Sequence, residues 1–178
     1  MTNEKLIELQ NLVLPVMKIL NLINQEEEDQ LREIPLGLIR KNATRMHAVC
    51  RFNPGPKGYK KTIHDVKEVA IHPEALNDNW IYYARFLMFH EYLHAIGNIR
   101  HDSVFRELED LWPDDDAKNA GKEFGRFLRA KAAKWYWTCP ECNKTHPRTR
   151  KSNGRYLCRK CKVTLIDTPA GQFIKPNV

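Results

Sequence analysis

His90-Glu91-Tyr92-Leu93-His94 is the stretch on which the reading of this chain turns. It lies in a run from Trp80 to Ile96 that is apolar nearly all round, which predicts one buried helix. On a helix, His90 and His94 are four apart, share a face and can both reach one zinc ion. Glu91 follows His90, where its carboxylate can meet a water on that ion. Zinc lowers the pKa of its water to about 7, and a nearby carboxylate can take the proton and pass it to a leaving amine. The plain alternative is a pair of hydrogen-bonded core histidines. Two His and a Glu on a buried helix must find partners in either case, because unpaired polar groups are costly there.

A catalytic zinc needs a third protein ligand. The remaining histidines are His47, His64, His72, His101 and His146. His101 is nearest in sequence, and geometry states its requirement. On an unbroken helix it would stand about 10 Å along the axis from His94. Nitrogens on one zinc are only about 3–3.5 Å apart. The helix must therefore stop between them, and Gly97-Asn98 supplies residues that tolerate a left-handed helix end. The helix is predicted to end at Ile96 or Gly97, with the chain folding His101 back. If it ran through Arg100, Glu109 would be the next ligand to test.

Around this helix the pattern predicts an α+β fold. Residues 4–23 repeat apolar positions at helical spacing, with a bend near Pro15. Glu26 to Asp29 reads as a helix start. Strands are predicted over Ile34–Arg40 and Met46–Phe52, joined as a hairpin through Lys41–Thr44, and over Asp65–His72. Residues 53–58 form a turn or loop. Asp102 can cap a second helix, with Val104, Phe105, Leu108, Leu111 and Trp112 facing in. A further helix is predicted from Ala117 to about Lys134. The expected architecture is a small, mainly antiparallel sheet packed on the zinc-bearing helix. Residues 1–134 would form this domain, and 135–178 a small appendage with a short tail.

The appendage carries Cys139-Pro-Glu-Cys142 and Cys158-Arg-Lys-Cys161, fifteen residues apart. Two Cys-x-x-Cys pairs at this spacing signal a closed tetrahedral zinc site, which stabilises a fold too small for a core of its own. A redox pair is the alternative. Cys50, alone in an apolar stretch, reads as a buried core thiol.

Charge is distributed unevenly. Residues 118–162 hold fourteen Lys and Arg against Glu123 and Glu141 alone, while the remainder holds fifteen basic and twenty acidic residues. A basic segment on a metal-bearing appendage favours a polyanion partner. Trp135, Tyr136 and Trp137 could stack unpaired bases, although rings here also serve to pack the ribbon. Arg148, Arg150, Lys151 and Arg155 could neutralise phosphates. Single-stranded or distorted DNA is the partner these residues predict. No apolar run is long enough to span a bilayer, and the N-terminus lacks the pattern of a signal peptide. The expectation is a monomer of the cytoplasm, associated with the nucleoid, or of the nucleus, with no membrane partner.

His90-Glu-Tyr-Leu-His94 followed by His101-Asp-Ser-Val-Phe105 resembles the SprT-like metalloproteases that include Spartan. They carry the same five-residue motif, a third His and a Phe four positions after it. The six residues between His94 and His101 are closer to the compact, yeast-type branch. The resemblance implies a zincin-like protease core and a C-terminal zinc ribbon with a DNA-binding role. It also implies a zinc endopeptidase acting on DNA-bound or DNA-crosslinked proteins, with two zinc ions per chain. His90, His94 and His101 would bind the catalytic ion, and Glu91 would act as general base and then acid. Cys139, Cys142, Cys158 and Cys161 would hold the structural ion. Two other readings stay open: a DNA-binding module whose zincin-like part is scaffold, and a general peptidase or chaperone-like metalloprotein.

Overall fold

Val69, Ala70 and Ile71 are all buried, with no alternation between faces. A strand covered on both faces belongs in the middle of a sheet. In the computed structural model, which describes residues 2–172, this strand, β3 (Val66–Ile71), is the central one of three. β1 (Leu36–Leu38) pairs with it in parallel and β2 (Ala48–Phe52) antiparallel. The predicted hairpin between the first two strands is therefore not formed. The connection over residues 39–47 carries the chain past β3 instead, and the sheet is mixed rather than mainly antiparallel. The physical reason lies in β3, whose apolar residues demand a neighbour on each edge.

Five α-helices accompany this sheet in residues 1–122, one of two compact units. They are α1 (Thr2–Ile19), α2 (Gln25–Arg32), α3 (Ile81–Ala95), α4 (Ser103–Asp110) and α5 (Asp115–Asn119). Asn24 caps α2 in a reciprocal box with Glu27. Glu28, within the predicted helix start, is buried and paired with Lys18 and Arg32. α3 is the hub and packs on α1, α4, α5, β2 and β3. Its buried Phe89, Tyr92 and Leu93 lie in one core with Leu9, Leu14 and Met17 of α1 and Ile71 of β3. The Gln10 side chain donates to the Tyr92 hydroxyl at 2.8 Å and to the Leu31 carbonyl at 3.2 Å, tying α1 to α3 and α2. That pairing lets Tyr92, within the five-residue motif, be fully buried.

α4 begins where predicted, with Asp102 accepting from the Phe105 N–H at 3.1 Å. Phe105 and Trp112 face in, but Val104 and Leu111 are exposed, contrary to the pattern read from sequence. The predicted helix over 117–134 is two helices. Asp114 caps α5 through the Ala117 N–H, and α6 (Gly121–Lys131) starts afresh at Gly121.

The second unit, residues 123–178, contains most of α6 and a small antiparallel sheet. β4 (Trp135–Thr138) is its middle strand, between β5 (Thr145–Arg148) and β6 (Ile166–Pro169). Its core is Trp137, Cys139, Cys158 and Leu165. Residues 173–178, at the end of the expected short tail, lie outside the described residues. Overall the described residues form an α+β fold of six α-helices and two three-stranded sheets.

Candidate metal centres

α3 ends one residue before the earliest predicted stop. The Gly97 N–H donates to the His94 carbonyl at 3.0 Å, and the Asn98 N–H reaches back to the Leu93 carbonyl at 3.1 Å. These two bonds make a Schellman helix end, with Gly97 in the left-handed position at φ +102°. The turn redirects the chain so that His101 returns to the face carrying His90 and His94. Their three Nε2 atoms form a nearly equilateral triangle with sides of 3.1, 3.1 and 3.2 Å.

The other ring nitrogen of two of these residues fixes what the Nε2 atoms can do. His90 Nδ1 donates to a Glu109 carboxylate oxygen at 2.7 Å, and Arg106 holds the same carboxylate. His94 Nδ1 donates to the Asn98 carbonyl at 2.7 Å. In the neutral rings, Nε2 of each must then present a lone pair to the other. Inward-facing lone pairs repel unless a cation lies among them, and the spacing suits three nitrogens on one zinc. The donor set fits the ion. Burial, with help from the neighbouring His90 and His101, lowers the His94 pKa to about 4, and burial lowers that of His101 as well. The His94 ring therefore stays neutral well into acid. Glu109 is the carboxylate that orients His90 rather than a member of the trio, an arrangement common behind zinc-binding histidines.

Phe105 forms the floor. Its fully buried ring lies 4.9, 4.6 and 4.8 Å from the rings of His90, His94 and His101. Glu91 is 5% exposed, and burial pushes its carboxyl up to about 7 against the pull of His90. A backbone hydrogen bond from Cys50 on β2 reaches the carboxylate. Cys50 is thus half-buried beside Glu91 rather than deep in the core, and burial pushes its thiol up to about 12. His47, His64, His72 and His146 stand apart from the trio among the described residues. His47 Nδ1 pairs with the Tyr83 hydroxyl at 2.8 Å, and buried His72 spans Ala43 and Glu74.

In the second unit Cys139, Cys142, Cys158 and Cys161 bring their sulfurs within 4.8 Å of one another. The two pairs repeat one backbone design. The Asn143 N–H donates to the Cys139 carbonyl at 3.0 Å and the Lys162 N–H to the Cys158 carbonyl at 2.9 Å. Asn143 and Lys162 both take positive φ, at 55° and 61°. Each turn closes with the first Cys N–H on the carbonyl five residues on. N–H groups of Cys161 and Lys160 draw the Cys158 thiol down to about 6, whereas the crowded neighbouring sulfurs push Cys161 up to about 12. Four sulfurs this close cannot all ionise without a cation among them, so this donor set also fits zinc.

The residues expected to meet DNA divide. Trp137 is buried. Its indole N–H donates to the Arg150 carbonyl at 3.0 Å, and its ring stacks on Tyr156 at 4.5 Å. It packs the ribbon. Trp135 is half-buried beneath the Lys151 ammonium, and Tyr136 is half-buried. Arg148, Arg150, Lys151 and Arg155 are exposed. Arg148 and Arg150 border a cavity of about 540 Å³, together with Lys144, His146, Tyr156 and Arg159. Tyr156 is the aromatic side chain the sequence reading missed. Its signal was available, since it stands in the basic loop between the two Cys pairs.

Residues 133–168 match the family model described as the SprT-like zinc ribbon domain. Searches among curated proteins and among solved structures returned no match. The matched segment spans all four cysteines and supports a structural zinc among them. The match over residues 133–168 to the SprT-like zinc ribbon domain is consistent with a SprT-like family protein.

Proposed function

We propose that this chain is a zinc-dependent endopeptidase with a zincin-like core, acting on proteins bound or crosslinked to DNA. One observation carries the reading: three imidazole Nε2 atoms 3.1–3.2 Å apart, two of them on a helix whose next residue after His90 is a buried carboxyl. His90, His94 and His101 would hold the ion, which when bound polarises a carbonyl and acidifies water. Glu91 takes a proton from the attacking water and delivers it to the leaving amine nitrogen. A carboxyl raised to about 7 by burial suits both directions of that transfer near neutral pH. Glu109 and the Asn98 carbonyl keep two imidazoles oriented through their Nδ1 protons.

The ribbon supplies the second half of the reading. Its cavity offers cations for phosphate and the exposed Tyr156 ring for an unpaired base. Joined covalently to the protease unit, it would raise the local concentration of DNA-bound substrate. DNA, single-stranded or distorted, is the proposed partner, in the cytoplasm at the nucleoid or in the nucleus, with the chain acting as a monomer.

The test is Glu91→Gln in the full chain. Two zinc ions per chain should be retained while cleavage of a DNA-bound protein is lost. If wild-type protein with DNA present cleaves nothing, the histidine trio is a structural site and the binding-module reading replaces this one.

A further inference from the structure

The acidic balance of residues 1–122 conceals a second basic region. Between Glu33 and Asp65 there are seven Lys and Arg and not one Asp or Glu. The rest of that unit holds nine basic residues against nineteen acidic ones. The fold lays the tract out in space. β2 is an edge strand, and its five residues span about 17 Å. Arg40, Lys41 and Arg45 lie in the loop before β2, at the Ile71 end of the sheet. Arg51 is on the strand. Lys57, Lys60 and Lys61 follow it in the loop at the Val66 end, around the half-exposed Tyr59 ring.

Cations therefore lie in the loops before and after β2 and on the strand itself. Arg51 pairs with Glu68. Arg40, Lys41, Arg45, Lys57 and Lys60 are exposed and make no ion pair among the described residues. The stripe borders the histidine trio. Cys50 of β2 hydrogen-bonds Glu91, and the Lys61 carbonyl lies 3.9 Å from where a Cβ on Gly97 would stand.

We propose that this edge is a second contact for the phosphate backbone of single-stranded nucleic acid, running past the metal centre on the first unit itself. It rests on the DNA-coupled reading above and adds a site distinct from the ribbon. Five unpaired cations in the two loops that flank the strand suit the regular charge of a phosphate chain, and Asp65, the acid next to the second loop, is already held by the backbone N–H and hydroxyl of Thr62. The exposed Tyr59 ring adds a surface on which a base can stack.

The experiment uses the full chain and oligo-dT. Lys41, Arg45, Lys57 and Lys60 are replaced together by Gln, and Arg148, Arg150 and Lys151 by Ala in a separate variant. Removing four phosphate contacts should lower the salt slope of log affinity by about 3, at roughly 0.7 per charge on a single strand. The effect should add to that of the ribbon variant. An unchanged slope in the edge variant, with a reduced one in the ribbon variant, would overturn the proposal and leave the DNA reading intact. Loss of cleavage of an acidic peptide without DNA, at unchanged DNA slope, would overturn it in favour of an acidic polypeptide partner. Absence of DNA binding by wild type would overturn the DNA reading itself.

Discussion

Gly97→Ala probes the step from sequence to metal centre most directly. Gly97 is held at φ +102° by the two hydrogen bonds that end α3. An added Cβ meets no hard clash, since its nearest neighbour, the Lys61 carbonyl, is 3.9 Å away. The cost is therefore backbone strain alone, about 1–2 kcal/mol for an L-residue forced to positive φ. Where that strain is expressed follows from burial. Ile99, Arg100 and His101 are exposed, so without metal the turn can relax at little loss to the core. With metal, His101 must return to within 3.1 Å of both other Nε2 atoms, which restores the strained turn. The expected result is a melting temperature of the histidine-site apo form near that of wild type. Zinc affinity at the histidine site should fall about 5–30-fold, the equivalent of 1–2 kcal/mol. Competition with a calibrated chelator, with the ribbon zinc retained, measures it. Asn98→Ala is the comparison: it removes the side-chain bond to the Leu93 carbonyl but keeps the left-handed glycine and the backbone carbonyl that orients His94, so zinc affinity should fall less. If Gly97→Ala leaves both zinc affinity and stability unchanged, the helix end does not govern the placement of His101.

Four further outcomes are expected. Glu91 keeps its proton to about 7 when folded but releases it near 4.5 when unfolded, so between these pH values the folded state binds more protons and its stability falls as pH rises. Relative to Glu91→Gln, the histidine-site apo wild type should lose about 3 kcal/mol across that window, at roughly 1.4 kcal/mol per pH unit, as read by hydrogen exchange at α3 amides. Phe105→Ala removes a fully buried ring shared by three imidazoles and should cost about 3–5 kcal/mol in denaturant unfolding, with Phe105→Leu recovering most of it. Cys139→Ser should lower the zinc count by one and abolish the Trp137 near-UV signal while hydrogen exchange within residues 1–122 is unaltered. Trp137→Ala should unfold the ribbon, whereas Tyr156→Ala should leave it folded and weaken oligo-dT binding by about 1–3 kcal/mol, the worth of one stacked base.

The sequence made the site legible wherever the chemistry is local along the chain. His90 and His94 are neighbours through helix period alone, and Gly97 announces its own turn. The Cys pairs close on themselves, within two hairpin-like turns of identical hydrogen bonding. What was misread depends on distant partners. β1 and β2 were assigned to each other because a short link joins them, yet each needs β3, about thirty residues and about twenty residues further on. Trp137, a candidate for base stacking by sequence, packs the ribbon instead, and Tyr156 escapes notice, for the same reason. Both are aromatic residues among basic ones, and only the fold shows that one ring is sealed by the other. Val104 and Leu111 fit an apolar helical stripe, but α4 is short and rests on Phe105.

The basic edge of β2 shows why a charge balance taken over long segments misleads. Nineteen acidic residues in the first unit outweigh its cations, and the unit reads as acidic. Yet screening limits the reach of a charge to about 10 Å at moderate salt, so a bound strand responds to its neighbours and not to the total. The acids of α2 and of residues 114–116 count in the balance but belong to other elements of the fold. Along the edge of β2 no carboxylate side chain comes from the tract itself; Glu68 is paired with Arg51, and Asp65 at the Val66 end is held by Thr62. A phosphate chain laid there would meet a cationic field that the formal charge of the unit does not predict. The field should respond to substitution of four residues by about 3 in the salt slope, although the net charge of the whole chain remains positive.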